Sequence, residues 1–94
     1  LNILGRLMVM PEKSWQFIEA KCLQICRLQL GCRHLMRVVI APIKPSGSGP
    51  NWEILAFEPE LPPIAHAEAV RAANLLRGKY ALAPGKNRKP PVAP

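Results

Sequence analysis

Residues 38–58, VVIAPIKPSGSGPNWEILAFE, decide the fold. Their opening lies within LMRVVIAPI at 35–43, which is rich in β-branched residues and predicts a strand. Pro42 has no amide hydrogen to give to a ladder, so it belongs at a strand end or on an edge. KPSGSGP at 44–50 has no periodicity and reads as a turn. NWEILAFE at 51–58 predicts the returning strand of an antiparallel hairpin. Plain alternation would set Trp52, Ile54 and Ala56 on one side and Glu53, Leu55 and Phe57 on the other. Both sides are then largely apolar, which predicts a helix on one face and a second contact on the other.

Working outward, PELPP at 59–63 ends the strand, and Pro62 or Pro63 opens a helix over 62–78. On its wheel Leu61, Ala65, Ala69, Ala72, Ala73 and Leu76, followed by Tyr80, share one face. Small alanines allow close approach to a neighbour, with Leu76 and Tyr80 anchoring the end. Gly78 weakens the helix, and Pro84 ends regular structure. Upstream, residues 11–30 predict another helix, with Pro11 and Glu12 in its first turn and Gly31 as its stop. Trp15, Ile18, Cys22, Ile25 and Cys26 recur at three- and four-residue spacing, while Phe17, Leu23, Leu28 and Leu30 fall off that face. An apolar surface nearly all round implies that something must cover it. The expected fold is a small α+β domain: an N-terminal helix, a two-stranded antiparallel hairpin and a C-terminal helix packed on the sheet. Its expected limits are a flexible segment at 1–10, one domain at 11–83 and a disordered, basic, Pro-rich tail at 84–94.

The net charge of +7 is unevenly spread. Residues 1–44 hold seven Lys/Arg against Glu12 and Glu19, residues 45–83 are nearly neutral, and the tail adds Lys86, Arg88 and Lys89. Basic arms around a domain fit this better than one basic face. No apolar run reaches the length of a membrane span, and Arg6 interrupts LNILGRLMVM, so neither a membrane partner nor a signal peptide is expected. Three cysteines, an odd number, argue against a closed disulfide framework and for a reducing, cytoplasmic setting.

Cys22, Cys26, Cys32 and His34 bring three thiols and an imidazole close in sequence and could in principle hold zinc. The spacing lacks a C-x2-C knuckle, and buried cysteine is an ordinary small hydrophobe. No metal or other cofactor is therefore expected. The carboxylates Glu53, Glu58 and Glu60 fit a solvated strand edge better than an acid–base pair. His66 is expected on the helix surface without a partner. Ser46–Gly49 lacks the rest of a phosphate-binding loop, and no nucleophile–base pair has the right types and spacing, which argues against an enzyme.

The apolar excess weighs most. It predicts a non-catalytic protein–protein interaction or self-association module, with Trp52, Ile54, Leu55 and Phe57 supplying sheet contacts to another protein or a second copy. The alternative is a basic nucleic-acid-binding protein using Arg33, Arg37, Lys86, Arg88 and Lys89 on phosphates. The third is a Cys/His metal protein.

Overall fold

The computed structural model describes residues 10–45, 47 and 49–84. In chain order the elements are β1 (Glu12–Lys13), α1 (Trp15–Cys26), β2 (Arg37–Pro42), β3 (Trp52–Glu58), α2 (Pro63–Arg77) and β4 (Ala81–Leu82). The α+β arrangement expected from the sequence is present, and a clasp is added: β1 and β4 pair in parallel, Glu12 with Ala81 and Lys13 with Leu82. The expected segment at 1–10 and tail at 84–94 lie almost wholly outside the described residues.

The first helix is shorter than its periodicity predicts. Ser14 is its N-cap, and the Ser14 hydroxyl accepts the Phe17 amide at 3.1 Å. That bond satisfies an otherwise orphaned donor and sets the helix start. Pro11 and Glu12 therefore do not form a first turn. Instead, the Pro11 carbonyl accepts from the Ala81 amide, and the Lys13 carbonyl accepts from the Ala83 amide, each at 2.9 Å. After Cys26 the chain leaves the helix through turns. Gly31, at φ +82°, lies where a Cβ would meet the Ala65 Cβ at 3.2 Å. Only glycine takes this backbone geometry at no steric cost, and only glycine leaves α2 room to lie this close.

The hairpin β2–β3 carries the main correction. Val39 pairs with Ala56 and Ile40 with Ile54, which leaves Leu55 without a partner. This one-residue bulge interrupts alternation. Trp52 and Phe57, assigned by plain alternation to opposite faces, are both buried in one core, and Ile54 packs partly against it. Glu53, Leu55 and Ala56 are exposed. The sheet does not present two equivalent apolar faces.

One core holds the molecule together. Ile18, Cys22 and Cys26 from α1, Leu35 from the connecting loop, Val38 and Ile40 from β2, Trp52 and Phe57 from β3, and Ala65, Ala69, Ala73 and Leu76 from α2 meet there. Each large apolar side chain so buried contributes roughly 1.5–3 kcal/mol. The alanine stripe lets α1 and α2 approach closely enough for thiol–carbonyl contacts. Residues 11–34 are thus integral to the fold.

Side-chain bonds to the backbone lock the layers. The Glu19 carboxylate accepts the Ile40 amide at 2.9 Å, tying α1 to β2. Trp52 Nε1 donates to the Tyr80 carbonyl at 3.0 Å, and Arg77 Nε donates to the Trp52 carbonyl at 2.7 Å. The Asn51 amide both donates to the Leu82 carbonyl and accepts the Leu82 amide, at 3.0 and 2.9 Å. It pairs with β4 as a strand residue would, joining the clasp to the hairpin.

Candidate functional site

Of the large apolar residues left exposed, Leu28, Leu30 and Met36 lie around the end of α1 and the loop before β2, while Leu55 lies on β3 and Ile64 and Leu75 lie on α2. With Ile18, Cys22 and Cys26 turned inward, Ala20 faces out and Leu23 is half-buried at its side. Two adjoining clefts share Ala20 and Leu23. One, of about 610 Å³, runs from Phe17 past Lys21 and Gln24 to Arg27 and Leu28. The other, of about 250 Å³, lies between α1 and the start of β2, where Trp15, Met36 and Arg37 contribute. Leu28 is 79% exposed and Met36 71%. Phe17, Leu23 and Leu28, which fall off the inward face in the sequence pattern, are part of this surface.

The charge available along these clefts is positive. The Lys13 and Lys21 ammonium groups lie 4.9 and 5.7 Å from the Phe17 ring centroid, in the range of cation–π attraction. Phe17 in turn stands edge-on to Tyr80, with centroids 5.3 Å apart. Arg27 Nε donates to the Leu35 carbonyl at 2.7 Å, which fixes the guanidinium at the cleft end. The acidic lining residue, Glu19, spends one carboxylate oxygen on the Ile40 amide.

The four sheet residues expected to make partner contacts do not form one surface. Trp52 is 0% exposed and Phe57 5%, both in the core, while Leu55 is 56% exposed on the opposite side of the strand. Ile54 is half-buried. Phe57 also takes His66 edge-on at 5.2 Å, so the histidine expected without a partner has an aromatic one.

The cysteines serve packing. All three are buried and unoxidised. Cys26 Sγ donates to the Ala69 carbonyl at 3.4 Å and Cys32 Sγ to the Ala65 carbonyl at 3.5 Å, both on α2. Burial pushes the Cys22 thiol up to about 12, with help from Cys26 and Glu19, and the Cys26 thiol up to about 11, with help from Cys32. Cys32 is also raised, chiefly by burial and then by Glu68. Thiols held protonated are poor metal ligands and poor nucleophiles. His34 is exposed. Among the described residues no group of three His, Cys, Asp or Glu side chains is placed to hold a metal.

Of the basic residues named for phosphate contact, Arg33 is exposed and Arg37 faces Glu58 at 3.8 Å. Lys86, Arg88 and Lys89 lie outside the described residues. No helix among the described residues is long and apolar enough to cross a membrane. In comparison with known proteins, no family model, no curated protein and no solved structure matches the chain.

Proposed function

We propose that the protein is a non-catalytic protein–protein interaction module whose docking face is the outer side of α1, flanked by the loop before β2. The observation that carries this reading is the pair of adjoining clefts over Ala20 and Leu23, with Leu28 and Met36 largely exposed beside them. Contiguous apolar surface with a polar rim is the usual physical mark of a protein contact. The face differs from the sheet residues favoured by the sequence, because the bulge draws Trp52 and Phe57 into the core.

A photo-crosslinking residue placed at position 20 tests the assignment in cells. A discrete protein adduct, resistant to nuclease and absent when the probe replaces the exposed Arg71 on α2, is the expected result. Absence of an adduct at position 20 overturns it. A nuclease-sensitive adduct overturns it in favour of phosphate binding by the basic rim.

A further inference from the structure

The chain segregates its charge in a way that supplies both halves of a contact. Residues 20–37 contain Lys21, Arg27, Arg33 and Arg37 and no acidic residue. Residues 45–70 contain Glu53, Glu58, Glu60 and Glu68 and no Lys or Arg. Folding uses up part of each set: Arg37 pairs with Glu58, and Glu68 with Arg71. Lys21 and Arg27 remain along the α1 clefts, while Glu53 and Glu60 remain exposed on β3 and its exit.

The two surfaces match in layout. Beside α1 an apolar floor, Ala20 and Leu23, has a basic margin. On the outer side of β3 Leu55 and Ala56 are both exposed, with Glu53 before them and Glu60 after them, so an apolar centre has an acidic margin. Their edges adjoin where Arg37 meets Glu58, but their apolar centres face away from the core on α1 and on β3 and do not cover one another.

We propose that the α1 docking face receives the outer face of β3 from a second copy of this chain. The contact is head-to-tail: each copy offers its clefts to one neighbour and its acidic strand face to another. It rests on the reading of α1 as the docking face and adds the identity of the occupant. Opposite charges at the margins set the register and make the association sensitive to salt, and the apolar centres supply the burial.

Sedimentation velocity of the purified full chain tests it. Concentration-dependent species larger than a monomer are expected at low salt, with association weakened at least tenfold at high salt. Ala20→Glu blocks the clefts and Glu53→Lys reverses the strand face, so each variant alone should sediment as a monomer. Lys21→Glu replaces Ala20→Glu if circular dichroism shows that the latter fails to fold. Mixing the two variants is decisive: the intact strand face of one meets the intact clefts of the other, giving a 1:1 dimer that grows no further. A wild-type chain that is monomeric at all concentrations in low salt, or a mixture that stays monomeric, overturns the proposal. If the purified chain is monomeric yet position 20 still crosslinks to a different protein, the occupant is wrong and the docking face stands. If no adduct forms either, both fall.

Discussion

Deleting Leu55 distinguishes the bulged strand from a regular one. With Leu55 removed, Ile54 and Ala56 become neighbours opposite Ile40 and Val39, which are already neighbours. The ladder closes without a gap, and Trp52, Ile54 and Phe57 keep their inward direction. The lost side chain is 56% exposed, so little buried apolar area goes with it. The expected change in unfolding free energy is small, within about 1 kcal/mol, the scale of an ordinary surface change plus a modest change in strand twist. A strand with regular alternation is distinguished at Phe57. Alternation counted from the buried Trp52 would place Phe57 on the outer face, so Phe57→Ser would cost no more than an ordinary surface change, whereas here Phe57 is 5% exposed. Truncating a buried phenylalanine costs roughly 3–5 kcal/mol. Urea unfolding followed by tryptophan fluorescence, with Trp52 in the core, reads both variants. A loss above about 3 kcal/mol for the Leu55 deletion, or below about 1 kcal/mol for Phe57→Ser, at unchanged m would refute the bulged register.

Other perturbations follow from the packing. Gly31→Ala should cost about 1–2 kcal/mol from the left-handed backbone alone, and more from the 3.2 Å approach to Ala65; a melting temperature equal to wild type would count against the tight turn. Ser14→Ala should cost about 1 kcal/mol through loss of the cap, whereas Ser14→Asp should retain most of it, as thermal unfolding would report. The cysteines give stability a one-sided pH dependence. A thiol in the unfolded chain ionises near its ordinary value of about 8.5, while the folded Cys22 and Cys26 are held well above it. Below the unfolded value both states hold the protons and this contribution is flat. Above it the unfolded state releases protons that the folded state keeps, so stability falls by about 1.4 kcal/mol per pH unit for each thiol until the folded value is passed. Urea midpoints should therefore be steady from pH 7 to 8 and decline between pH 9 and 11; a Cys22→Ala, Cys26→Ala double variant that declines equally steeply would refute this cause.

The elements were legible where one local signal dominated. Prolines and glycines bracket the hairpin, and the alanine stripe marks the inward face of α2 at helical spacing. Three features depended on distant partners. The bulge at Leu55 leaves no trace in WEILAFE, because every residue near it is acceptable to a strand on either face. Pro11 and Glu12 suit the first turn of a helix, but α1 starts later because the carbonyl of Pro11 is claimed by Ala81, far away in sequence. Asn51 resembles any turn residue until its amide is seen pairing with Leu82. The docking face was half visible. Phe17, Leu23 and Leu28 fall off the main stripe of α1, but only the placement of Met36 and Lys21 beside them makes clefts of those residues.

The β1–β4 clasp sets residues 11–13 beside residues 81–83, so the domain is close to a closed ring. A flexible linker of about eight residues, spanning roughly 15 Å, could join the two ends. New termini could then open between β2 and β3. In such a permutant the clasp would become a local pairing, and the β2–β3 ladder would have to be found across the whole chain. The same native contacts would then form in a different order, making the speed of folding, rather than the final structure, the property most altered.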